Sequence, residues 1–303
     1  MMSTTENISG SFRLAEKVKD YFQLIKFTLS FTVVFSCVVC YLLAPGIAYD
    51  LKMVLLLFIA GMLVTGSANA INQAVEKDTD AVMKRTGKRP VADGRMTQQE
   101  AYIFAFIAGV AGVFMMWYFF NLASALISAA SLFLYAFIYT PLKKVNSIAV
   151  LVGAFPGALP CLIGWVAAYA PEEQIWWAGG LILFGIQFLW QFPHFWAIAW
   201  VAHTDYSKAG FKLLPADKGP TKFTALQAVM YSVLMIPVGL LPKYVGMTGS
   251  LSLWIVLACN LFMVIQCIRL YIEMDVKSAR RVMFSSYIYL PIVLLALLAD
   301  KVI

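Results

Sequence analysis

Charge is scarce in this chain. Only 13% of its 303 residues are Asp, Glu, Lys or Arg, while 61% are hydrophobic and the mean hydropathy is +0.79. No soluble domain needs that much apolar surface, and several runs approach the ~20 residues that cross a bilayer. A soluble enzyme is therefore excluded, and a polytopic all-α membrane protein is implied. Histidine is rarer still, at two residues (His194 and His203), and the five cysteines (37, 40, 161, 259, 267) sit in apolar runs. Cys37 and Cys40 form a CxxC, but no second pair or nearby histidine completes a zinc site, so they read as buried thiols. The first twenty residues lack the apolar core of a cleavable signal and carry acids that a transit peptide avoids. A prokaryotic inner membrane is the simplest location. The net charge of +7 follows from the positive-inside rule and implies no nucleic-acid partner.

What is there is organised by length. Residues 1–23 form an N-terminal segment in which Phe12, Leu14, Ala15, Val18, Tyr21 and Phe22 alternate with Arg13, Lys17 and Lys19. That pattern predicts an amphipathic helix on the membrane surface. Residues 24–303 form the membrane domain. Nine spans are predicted at about 24–44, 51–71, 99–118, 122–140, 148–169, 175–199, 223–241, 250–271 and 283–299, around a central cavity open to the cytoplasmic side. With the N-terminus inside, twenty of the 23 Lys and Arg residues fall on the inner face. Lys52, Lys243 and Lys301 alone fall outside, which sets the N-terminus in and the C-terminus out. Two inner loops, roughly 72–98 and 200–222, follow spans 2 and 6. This spacing suggests two halves related by a parallel repeat.

The first long loop carries the chemistry. Residues 65–95 read TGSANAINQAVEKDTDAVMKRTGKRPVADGR. On a helix, Thr65, Asn69, Asn72, Glu76 and Asp80 fall within about 80° of one another. Oxygen ligands at this spacing suit a hard divalent cation such as Mg²⁺, whose remaining ligands come from substrate phosphates. Lys84, Arg85, Lys88, Arg89 and Arg95 follow and suit the phosphates. A cytoplasmic loop whose charges only orient the protein is the plainer alternative. Gln187, Gln191, His194 and Asp205 form a second stripe along span 6, with Lys208 and Lys212 beyond and Pro193 as a kink point. Ser124, Ser128, Ser131, Tyr135 and Tyr139 line span 4 and lead into Lys143, where Tyr139 and Lys143 lie level with the loop charges. Span 5 is broken by Gly153, Pro156, Gly157 and Pro160, and broken backbone is tolerated where it borders a cavity.

Charges at mid-membrane depth are almost absent, which argues against a carrier for a phosphorylated amphiphile with an ion site at the midplane. The acids cluster instead at the inner mouth, above an interior rich in Phe, Trp and Met. That arrangement suits an amphiphile with an anionic head and a greasy tail.

At this point Asn72-x-x-x-Glu76-x-x-x-Asp80 resembles the N-x-x-x-D-x-x-x-D signature of the UbiA-type intramembrane prenyltransferases. Residues 76–90, 139–165 and 190–215, with W-Q-F-P-H-F at 190–195 and D-Y-S-K-A-G at 205–210, resemble the protoheme IX farnesyltransferase branch. Glu76 departs from the usual Asp, and the region after span 6 keeps only Asp205 of that superfamily's repeated aspartates. The resemblance implies transfer of farnesyl from farnesyl diphosphate to the vinyl group of heme b, giving heme O. It implies Mg²⁺ on Asn72, Glu76 and Asp80, and diphosphate contacts from Lys84, Arg85, Arg89, Lys143, Lys208 and Asp205. Tyr139 joins the catalytic set, and His194 and Gln191 would hold the heme. Heme O conversion or oxidase-assembly factors would follow downstream. A sister enzyme acting on an aromatic quinone precursor is the nearest alternative.

Overall fold

The computed structural model describes residues 3–215 and 219–302, with side chains from residue 14 onward. Helices α1 (Ser3–Leu24) and α2 (Phe27–Leu43) meet at a 52° bend. Then come α3 (Leu51–Val75), α4 (Lys77–Ala81), α5 (Gln98–Phe119) and α6 (Leu122–Phe133). A π-helical turn over Leu134–Tyr139 continues α6 into α7 (Thr140–Leu142). The rest is α8 (Ala149–Ala167), α9 (Trp177–Val201), α10 (His203–Lys208), α11 (Lys222–Tyr244), α12 (Ser250–Glu273) and α13 (Val276–Ala299). Among the described residues eight helices are long and apolar enough to cross a membrane, and the bent α1–α2 pair reaches that length and hydropathy only when taken as one span. Eight of the nine expected spans are thus single helices, and the bent pair stands where the first is expected. Among the described residues the one extended pairing is a bridge between Thr248 and Lys301.

Caps explain where several spans start. Asp50 accepts from the Lys52 amide at 2.8 Å, Asn121 from Ser124 at 2.8 Å, and Asp275 from Ser278 at 2.7 Å. The last cap corrects an expectation: α13 begins at Val276 and not near 283. Its first turns are polar and lie beyond the apolar stretch that hydropathy detects.

In the N-terminal segment the side chains of Phe12 and Arg13 lie outside the described residues; of the described polar side chains of α1, Glu16 and Lys19 are exposed, while Lys17, Asp20 and Tyr21 are docked. Lys17 and Tyr21 donate to Glu100 at 2.9 and 2.8 Å, and Asp20 pairs with Arg95.

Proline shapes the middle of the bundle. Pro141 has no N–H to give, and the turn before it widens: the Thr140 amide and hydroxyl both reach the Tyr135 carbonyl. In α8, Pro160 frees the Pro156 carbonyl, which accepts instead from Ser131 Oγ at 3.3 Å. Gln187 and Gln191 donate to the Gly157 and Ala154 carbonyls at 2.7 and 3.0 Å. Side chains from α6 and α9 therefore support the interrupted helix. α8 also packs tightly on α2, where Gly164 leaves no room for a Cβ against the Cys37 carbonyl.

α9 passes through Pro193 and breaks later, at Ala202 (φ −95°, ψ 13°). α3 breaks with the same geometry at Glu76 (φ −93°, ψ 13°). Each break leads into a short helix, α4 or α10, so the two long loops start alike.

Candidate active site

Glu76 sits at the helix break, yet the stripe survives it because the Asp80 amide still donates to the Glu76 carbonyl at 2.7 Å. Asn72, Glu76 and Asp80 are all buried, and a different cation meets each. Lys26 Nζ donates to Asn72 Oδ1 at 2.7 Å. Lys143 Nζ lies 2.5 Å from Glu76 Oε1, without the angle of a hydrogen bond. Arg89 Nη1 donates to both Asp80 oxygens, at 2.9 and 2.7 Å. Burial pushes the Lys143 ammonium below the usual lysine value, against the pull of Glu76.

Three cations thus share one buried cluster with two carboxylates. Arg85 flanks it, donating to Tyr206 Oη at 3.2 Å with its guanidinium 5.7 Å from that ring. An excess of fixed positive charge in a poorly solvated site is an anion receptor. The same cluster offers oxygens to a hard cation: Asn72 Oδ1, the Asp80 carboxylate, and Glu76 Oε1, which is buried without a hydrogen bond. These oxygens are of the type a hard cation takes, but each residue is engaged by a lysine or arginine in this structure, and among the described residues no three His, Cys, Asp or Glu side chains gather to hold a metal.

Next to the cluster lies a cavity of about 670 Å³. Its walls bring the stripes together: Thr65 and Asn69 from α3, Ser128, Ser131, Tyr135 and Tyr139 from the α6 span, and Gln187, Gln191 and His194 from α9. Gly153, Pro156, Gly157 and Pro160 of α8 also line it. Tyr139 stands between the two regions. Its ring borders the cavity, and Lys143 Nζ lies 4.9 Å from the ring centroid. Gly153 makes room for it, since a Cβ there would lie 2.6 Å from the Tyr139 ring.

Several expected residues are placed otherwise. Lys84 and Lys208 are exposed, and neither forms an ion pair among the described residues. Asp205 is half-buried on α10, and it lines neither the main cavity nor the smaller one beside α10. Four residues past the break, where α3–α4 has Asp80, α9–α10 has Tyr206. Lys218 lies outside the described residues. Arg95 is drawn away from the site by Asp20 and Asp93. The Gln191 amide N–H groups are spent on the Ala154 and Gln187 carbonyls, leaving its Oε1.

Sequence reasoning missed Lys26, counted only as a charge, and Tyr206 and Phe211, which close over Arg85 and Lys143. A lone lysine between an amphipathic segment and an apolar run was the available signal for Lys26.

Residues 33–289 match the UbiA prenyltransferase family. The chain belongs to that family. Within it, the chain is 45% identical over 289 residues to a protoheme IX farnesyltransferase of Cytophaga hutchinsonii, covering 95% of this chain and all of that protein. It is 42% identical to the enzyme of the same name from Flavobacterium johnsoniae, over 93% and 94% of the two chains. Among solved structures, a digeranylgeranylglyceryl phosphate synthase shares the UbiA fold at TM-score 0.78 and 22% identity, over 94% of this chain and 98% of that one. A UbiA homologue from Archaeoglobus fulgidus bound to GPP and Mg²⁺ superposes at TM-score 0.64 and 13% identity, over 92% and 99%.

Proposed function

We propose that this UbiA family member transfers the farnesyl group of farnesyl diphosphate to a vinyl group of heme b, giving heme O and diphosphate. The observation that carries the reading is the junction at Tyr139, where a cation-rich polar cluster meets a large apolar cavity. An allylic diphosphate has a charged head and an apolar tail, and its reacting C–O bond lies where the two join. The names of relatives that match this chain over nearly its whole length select heme b as the acceptor.

In the reaction the allylic C–O bond breaks and the diphosphate leaves with the electron pair. The vinyl π electrons attack the allylic carbon, and water captures the resulting cation beside the ring, releasing a proton. Lys26, Lys143 and Arg89 contact the departing diphosphate, with Arg85 at the rim. Fixed charges aimed at developing charge lower the barrier most where water is excluded. Tyr135, Tyr139 and the apolar walls shield the allylic cation from early hydrolysis, and the aromatic faces stabilise it. Mg²⁺ on Asn72, Glu76 and Asp80 would add Lewis-acid charge to the leaving group. Asp205, Lys84 and Lys208 lie at the periphery of this scheme, as does any downstream partner that receives heme O.

The cluster end of the bundle faces the cytoplasm, with the C-terminus on the other side of the inner membrane. Mass spectrometry of heme extracted from cells with and without the protein tests the reaction. Heme carrying the added hydroxyethylfarnesyl mass is expected only with it. Unchanged heme b, together with label from farnesyl diphosphate appearing in a quinone precursor, would favour the sister activity.

A further inference from the structure

His194 lies on the cavity wall with its ring held from three sides. Trp190 stacks on it, with centroids 4.7 Å apart and 18° between planes, while Phe195 and Tyr287 meet it edge-on at 5.2 and 5.3 Å. His194 Nδ1 is 2.7 Å from Ser286 Oγ. The Ser286 hydroxyl has one proton, and it donates that proton to the Met283 carbonyl at 2.6 Å. Toward His194, therefore, Ser286 can only accept. This places the imidazole hydrogen on Nδ1 and leaves Nε2 with a bare lone pair. The Ser286 carbonyl accepts from Trp190 Nε1 at 2.9 Å, so one residue of α13 fixes both rings. Among the described residues nothing donates to Nε2.

A bare imidazole nitrogen can take a proton or bind a metal. Proton uptake would create an imidazolium whose ring contacts are all neutral: Trp190, Phe195, Tyr287 and Ser286. The carboxylates of the site, Glu76 and Asp80, are engaged with Lys143 and Arg89 in the cluster beyond Tyr139. An uncompensated charge in such surroundings is costly, whereas metal ligation uses the lone pair and leaves the ring neutral.

We propose that Ser286 is a positioning residue that sets the His194 tautomer, so that Nε2 ligates the iron of the heme substrate and fixes the porphyrin against α9 and α13. This rests on heme b being the acceptor. Outer partners that orient a ligating histidine typically account for about 10–100-fold in metal affinity.

The test is optical and electron-paramagnetic spectroscopy of purified, detergent-solubilised protein titrated with ferric heme b, which requires no prenyl transfer. The wild type is expected to give a histidine-ligated spectrum. His194→Gly should lose that spectrum and regain it with added imidazole, which shows that the variant is folded. Ser286→Ala should bind about tenfold more weakly with a shifted spectrum, and Ser286→Thr should restore both. Heme bound by His194→Gly or Ser286→Ala with wild-type affinity and spectrum would overturn the proposal while leaving the heme-transfer reading intact. Failure of the wild type to bind heme would overturn both.

Discussion

Replacing Lys143 with methionine removes the charge and keeps most of the stem. Lys143 and Glu76 side chains are 9% and 5% exposed, so the change strands a carboxylate away from water. Breaking a buried pair on one side costs about 3–5 kcal/mol. Lys26 and Arg89 stand in the same cluster and offset part of this, which places Lys143→Met at the low end, about 3 kcal/mol. Glu76→Gln strands the lysine instead and should cost a similar amount. In the double variant neither charge is left alone, so most of the stability should return. Farnesyl transfer should not return, because both groups have left the site. Thermal unfolding in detergent of the wild type, both single variants and the double, each paired with a transfer measurement, separates the two effects. A double variant as unstable as the two singles combined would refute the pairing. A double variant with wild-type turnover would refute the functional role.

Asp80→Asn should abolish transfer while the protein still inserts normally; wild-type rates would count heavily against Asp80 as a cation ligand. Lys143 titrates below the ordinary lysine value of about 10.4. Between its folded value and that figure the unfolded chain holds more protons, so stability should rise with pH while diphosphate affinity falls. An alkaline titration in which both decline together would contradict this. Gly157→Ala puts a Cβ where Gln191 Oε1 lies, and should cost about 1–3 kcal/mol, read as a lowered unfolding midpoint. A tag after Ile303 should react with an impermeant reagent in spheroplasts, and one before Met1 should not; the reverse pattern would invert the proposed orientation.

The spans were legible because each is a long apolar run, and hydropathy needs no tertiary information. The stripe Asn72, Glu76, Asp80 was legible because helical spacing survives the break at Glu76. Long-range choices were not legible. Asn72, Glu76 and Asp80 are met by Lys26, Lys143 and Arg89, and only Arg89 is close to its partner in sequence. Arg95 looks like a neighbour of Arg89 in the chain, yet Asp20 holds it elsewhere. The π turn at Tyr139 arises from Pro141 but also needs the Thr140 hydroxyl to satisfy the Tyr135 carbonyl. Ser286 carries no signal at all until α13 is laid against α9.

The most direct measurement follows labelled farnesyl diphosphate into heme b with purified protein over graded Mg²⁺. Label should enter the heme with the wild type, rise with Mg²⁺, and be absent with Asp80→Asn. Label transfer that ignores both Mg²⁺ and the loss of Asp80 would contradict the claim that this cluster releases the diphosphate.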